Sequence, residues 1–250
     1  DAKQGVQSIY PSGMYADNRG WAIPFDINKH GEVVGYRSIG PGSTNAFLRD
    51  RSGAVFDLGP FVANSLNDRG QVAGVAVLLN FESRAVLWTA GTGTTDLGGM
   101  NSRAIDINNR GVIAGDVQGQ AAVWTDIGIW QELGILGDSP FGGPRFSSAH
   151  AVNDRGWVVG TSTAPTGGAF LWTPQTGMEN LGDLHTGHDI SLSHAVDINQ
   201  HGTVIGESLG WIFFGEAPDA ATLGGATLII AGGLWLWRSQ KSPDVAEMPD

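Results

Sequence analysis

The chain has 250 residues, with 25 Asp and Glu against 14 Lys and Arg, a formal net charge of −11. Phosphate backbones attract basic surfaces, so this balance argues against nucleic acid as a partner. There is no cysteine, which excludes disulfides and thiolate metal sites and leaves the compartment open.

The chain opens at Asp1 with DAKQG, without an initiator Met or an apolar export segment. Removal of a signal peptide is the expectation. From residue 26 onward one pattern recurs five times: DINKHGEVVG, SLNDRGQVAG, DINNRGVIAG, AVNDRGWVVG and DINQHGTVIG. Its Asn residues are Asn28, Asn67, Asn108, Asn153 and Asn199, at steps of 39, 41, 45 and 46. Each Asn stands three residues before one Gly and seven before another. An Asn side chain accepts a bond from the backbone two residues on, and the first Gly tolerates a positive φ. The flanks, such as Ala104-Ile105-Asp106-Ile107 before the corner and Val112-Ile113-Ala114 after it, are strand-like. Each copy therefore predicts a hairpin.

A third piece follows each of the first four hairpins, ending at Arg49, Trp88, Trp124 and Trp172. A fourth begins eight residues later, at Asp57, Asp96, Glu132 and Asn180, each followed by Leu-Gly. The link from the second Gly to the Arg or Trp varies instead, from 9 to 14 residues. Fixed spacing inside hairpins and variable spacing between them predicts four-stranded blades with one free loop each. Apolar residues fill consecutive positions in the third piece, as in a strand packed on both faces, so the recurring Trp reads as packing between blades. The expected fold is all-β: a β-propeller of about five four-stranded blades over residues 1–215.

The cycle A-x-x-I-N-x-x-G-x-V-x-G, then A-F-L-W, then D-L-G, resembles the bacterial extracellular HAF-repeat family over about residues 21–208. The best copies are SRAIDINNRGVIAG, with AAVW and ELG, and SHAVDINQHGTVIG. The resemblance implies an exported, repeat-built β protein and carries no catalytic residues. The His that names the family is missing; Asn45, Arg84 and Gly168 stand in its place in three copies.

Two loops stand out. SPFGGPRFSSAH, Ser139–His150, and LGDLHTGHDISLSHAVD, which holds Asp183, His185, His188, Asp189, His194 and Asp197, occupy equivalent places in neighbouring copies. Imidazoles and carboxylates can bind zinc or act as acid and base, yet nothing in the sequence positions these. The expected role is a binding surface built from Phe141, Arg145, Phe146, His185, His188, Asp189 and His194. Asp26-x-Asn28-x-His30-Gly31 resembles the start of a calcium loop, but the fifth place is His or Arg and no distal carboxylate follows, so it reads as a turn. No G-x-S-x-G, phosphate-binding loop or H-E-x-x-H is present. Neither a catalytic residue, a metal ligand nor a cofactor is predicted.

After DINQHGTVIGES the fifth copy departs from the pattern. Ala220–Trp237 is 18 residues without a charge, followed by Arg238 and Lys241. As a helix it would span about 27 Å, close to the apolar thickness of a bilayer. Trp235 and Trp237 at its end, then cations, mark a cytoplasmic-side boundary. The stretch FFGEAPDAATLGGATLIIAGGLWLW resembles the last membrane helix of EamA-type drug/metabolite transporters, and more loosely a C-terminal sorting anchor. The expectation is a membrane-spanning segment over 216–241 and a polar tail over 242–250. The competing reading makes Trp211–Phe214 a third strand and Thr222–Gly224 a fourth. The function expected is an extracytoplasmic, membrane-anchored module that binds a protein partner or a glycan without chemistry of its own, with the role of an accessory subunit of a membrane complex as one form of it. A polysaccharide-cleaving enzyme is the alternative.

Overall fold

The Asn–Gly corners fold as hairpins, and the hairpins organise everything around them. The computed structural model describes residues 21–40, 43–137, 145–163, 168–181 and 194–207. The chain divides into two units, Asp1–Ser208 and Leu209–Asp250, and the described residues all belong to the first.

Every described element is a strand. The first sheet is β1 (Ala22–Ile27), β2 (Val33–Gly40), β3 (Ser43–Arg49) and β4 (Val55–Gly59). The second is β5 (Val62–Leu66), β6 (Val72–Val77), β7 (Ser83–Thr89) and β8 (Gly93–Asp96). The third is β9 (Ser102–Ile107), β10 (Ile113–Val117), β11 (Gln120–Asp126) and β12 (Ile129–Glu132). The fourth is β13 (Ser147–Val152), β14 (Val158–Ser162), β15 (Gly168–Thr173) and β16 (Gly177–Asn180). A hairpin of β17 (His194–Ile198) and β18 (Val204–Glu207) carries the fifth Asn corner. Each sheet is an antiparallel meander in chain order, which is consistent with a propeller-like arrangement of successive blades.

The corner itself is the same five times. In the third sheet Asn108 Oδ1 accepts the N–H of Arg110 and of Val112, both at 2.9 Å. The N–H of Gly111 donates to the Asn108 carbonyl, and the N–H of Asn108 to the carbonyl of Val112. Gly111 has φ +88°, the left-handed conformation that closes this turn at little steric cost. The first strand of every sheet then carries one extra residue: the register shifts past Phe25, Asn64, Ile105, His150 and Val196. Such a bulge re-aims the neighbouring side chains. It also explains the second Gly of the pattern. A Cβ on Gly35, Gly74, Gly115 or Gly160 would run into a carbonyl oxygen of the bulged strand.

The core lies between sheets. Val34, Ala46, Leu48 and Leu58 of the first pack on Phe61, Ala63, Leu66, Val72 and Val86 of the second. Equivalent layers join the second sheet to the third around Trp124, the third to the fourth around Phe170 and Trp172, and the fourth to the β17–β18 hairpin. Trp124 is buried in this layer, as the packing reading of the recurring Trp requires. Asp116 of the third sheet is buried under a two-pronged contact from Arg103 and accepts the Ser148 hydroxyl of the fourth at 3.0 Å.

Candidate functional site at the Asn corners

The five corners line one cavity of ≈ 260 Å³. Its wall repeats by position. Ile27, Leu66, Ile107, Val152 and Ile198 precede the Asn, and Lys29, Asp68, Asn109, Asp154 and Gln200 follow it. Asn28, Asn67 and Asn108 themselves contribute, with Asp106 and Asp197 two residues before their Asn.

Two hydrogen-bond ladders run around this wall, and neither is local in sequence. In the first, each Asn Nδ2 donates to the backbone carbonyl of the next Asn: Asn28 to Asn67 (3.2 Å), Asn67 to Asn108 (3.0 Å), Asn108 to Asn153 (2.8 Å) and Asn153 to Asn199 (3.1 Å). In the second, the backbone N–H one residue later donates to the side-chain oxygen at the same place in the next sheet. Lys29 donates to Asp68, Asp68 to Asn109, Asn109 to Asp154 and Asp154 to Gln200, at 2.8–3.2 Å. The first four Asn are buried, and the Oδ1 and at least one Nδ2 hydrogen of each are bonded inside the protein.

The carboxylates two residues before the Asn act as staples. Asp26 Oδ2 accepts the N–H of Leu66 at 2.9 Å, and Asp106 Oδ2 the N–H of Val152 at 2.7 Å, each in the following sheet. The Ser65 hydroxyl lies between Asp26 and Asp106, 2.9 and 2.8 Å away. Burial pushes the Asp106 carboxyl above its ordinary value, the Asp26 charge pushes the same way, and the N–H groups and hydroxyl bonded to it oppose the shift. Ser65 has one hydroxyl hydrogen and cannot donate to both carboxylates at once.

The series has two ends. Leu66, Ile107, Val152 and Ile198 are each 5 % exposed, whereas their counterpart Ile27 is 63 % exposed. On the other side Val34, Ala73, Ala114 and Val159 are fully buried, whereas their counterpart Ile205 is 65 % exposed. Among the described residues the first ladder stops at Asn199. Lys29 has no acceptor to offer a donor arriving from the fifth hairpin.

The loop residues predicted from sequence fall elsewhere. Arg145 and Phe146 are exposed just before β13, and His194 is exposed at the start of β17, at the end of these strands away from the Asn corners. Phe146 is fastened to Thr163, whose N–H donates to its carbonyl at 2.9 Å, and its ring lies against Gly119 of the third sheet. Phe141, His185, His188 and Asp189 lie outside the described residues, as does Asp183. Among the described residues no three His, Asp or Glu are grouped to hold a metal ion. The oxygens of the calcium-like stretch are occupied: Asn28 Oδ1 faces the N–H groups of His30 and Glu32, and Asp26 those of Ile27 and Leu66. The inter-sheet ladders escaped the sequence reading, although an oxygen-bearing residue follows the Asn in four of five copies. No family model, curated protein or solved structure matches the chain.

Proposed function

We propose that this chain is an extracytoplasmic binding or assembly module, a propeller of five blades with no chemistry of its own. In this reading the repeat domain spans residues 1–215 and Ala220–Trp237 anchors it in the membrane. Its partner is a glycan or another protein. The observation that carries the non-enzymatic reading is the commitment of two carboxylates and the buried Asn side chains at the corners. Asp26, Asp106 and the buried Asn side chains bond to backbone groups of neighbouring sheets, which is scaffold work. A general acid or base has to reach a substrate instead. The HAF-like pattern supports an exported protein, and the apolar run followed by Arg238 and Lys241 supports the anchor. That run lies outside the described residues.

The full chain, expressed with an export signal, tests both halves. It should stay with the membrane pellet through a carbonate wash; release into the wash removes the anchor. On a carbohydrate array followed by a reducing-end assay, bound polysaccharide should remain uncut. New reducing ends would establish the glycan-cleaving alternative.

A further inference from the structure

The fifth hairpin stops short of the others. Each of the first four sheets continues from its hairpin into a third and a fourth strand, whereas among the described residues β17 and β18 have no such pair. Phe47 nevertheless calls for a third strand there. It alternates along β3 with Ala46 and Leu48, which pack on the second sheet, so it faces the other way. Its counterparts Val86 and Phe170 share a layer with third-strand residues of the preceding sheet: Ala46 and Leu48 for Val86, Ala121 and Val123 for Phe170. Phe47 is 1 % exposed, yet it belongs to none of the four layers between described sheets. By the same geometry, a third strand of the fifth sheet is what covers it.

We infer that residues 6–9 and 14–17 supply the third and fourth strands of the fifth sheet, docking on the free edge of β18. These residues lie outside the described ones, and their sequence carries the assignment. In the first sheet Gly53 stands four residues after Arg49 and Asp57 eight after it, and Gly128 and Glu132 stand at the same offsets from Trp124. Ile9, Gly13 and Asp17 repeat those offsets, with Ser12-Gly13 matching Ser52-Gly53. Only the following Leu-Gly is not kept, Asn18-Arg19-Gly20 standing there instead. Chain direction agrees. Each fourth strand leads into the first strand of the next sheet, as β4 ends at Gly59 and β5 begins at Val62. The residues ahead of β1 therefore stand where the fourth strand of the preceding sheet belongs. The stretch after β18 fits worse. A third strand would end 9–14 residues after Gly206, where Gly215-Glu216-Ala217-Pro218-Asp219-Ala220 stands, with a Pro and two acids in place of an apolar run. The register follows from the other sheets, which pair Val33 with Arg49, Ile113 with Trp124 and Val158 with Trp172. Val204 then opposes Ile9, Ile205 opposes Ser8, and Val6 takes the place of Ala46, over Phe47. The assignment rests on the five-bladed reading and names what completes its last blade.

The chain has no cysteine, so disulfides can trap this register in the full chain. Opposed residues of an antiparallel pair lie about 5.5 Å or less apart at Cα, within reach of a disulfide. Ser8→Cys/Ile205→Cys should close within one molecule on mild oxidation. Gln7→Cys/Ile205→Cys should stay reduced, because its two side chains point to opposite faces of the sheet. Val6→Asp should lower the melting temperature by about 5 °C or more, since it places a charge over Phe47, while Lys3→Asp should shift it by less than about 1 °C. A Val6→Asp protein that melts like wild type overturns the assignment. So does a bond between two molecules of the first pair, which gives the place to a second copy of the chain. A bond in Ile205→Cys/Phe213→Cys gives it to the segment after β18, which overturns the assignment and leaves the five-bladed reading standing. Free thiols in both Ser8→Cys/Ile205→Cys and Ile205→Cys/Phe213→Cys would overturn that reading as well.

Discussion

Gly115→Ala should cost more than about 4 kcal/mol, enough to leave little cooperatively folded protein. Gly115 pairs with Ala104 beside the bulge in the first strand of its sheet. There a Cβ would run into the Arg103 carbonyl, a backbone group that cannot swing aside. Moving it means undoing the bulge, and the bulge aims Asp106 at Val152 in the next sheet. The loss therefore spreads from one strand pair to an inter-sheet staple. Gly91→Ala is the control, since nothing lies within 4 Å of its added Cβ. It should sit within about 0.5 kcal/mol of wild type. Urea unfolding followed by circular dichroism measures both. A Gly115→Ala protein with a wild-type midpoint would contradict the bulge account.

Asn108→Ala should cost about 3–4 kcal/mol. The side chain holds two N–H groups, those of Arg110 and Val112, and donates to the Asn153 carbonyl at 2.8 Å. Truncation strands two donors in a buried corner and removes the rung to the fourth sheet, and each buried group left unsatisfied costs about 1–3 kcal/mol. Asn199 supplies the comparison. Its Oδ1 makes the same two bonds, to His201 and Thr203, but it is exposed and makes no forward rung among the described residues. Asn199→Ala should therefore cost about 2 kcal/mol less than Asn108→Ala. Equal costs would mean that the Asn shapes its own turn only and that the ladder adds nothing.

The strand order could be read from the sequence because its signals are local. An Asn, a Gly three residues on and a strand pattern on either side are sufficient for a hairpin, and the fixed eight-residue offset to Asp57, Asp96, Glu132 and Asn180 is sufficient for the outer pair. The second Gly of the pattern was visible but unexplained. Its reason is a close approach to a bulge, which no periodicity reveals. The ladders were hidden for a different cause. Their partners are 39–46 residues apart, and Asp68, Asn109, Asp154 and Gln200 share an acceptor oxygen rather than a residue type. The candidate surface was drawn from the loops because His, Asp and aromatic residues crowd there. Composition concentrates chemistry-bearing side chains without orienting them.

Spin labels at the Asn corners test most directly whether the sheets circle an axis. The chain has no cysteine, so pairs introduced at Arg69 and Arg110, Arg69 and Arg155, and Arg69 and His201 can be labelled without background. These pairs lie one, two and three sheets apart. Pulsed electron resonance should give the shortest distance for the first pair and matching distances for the other two, since in a ring of five the third step leads back round. A distance that climbs steadily from one pair to the next would describe a straight stack and contradict the account.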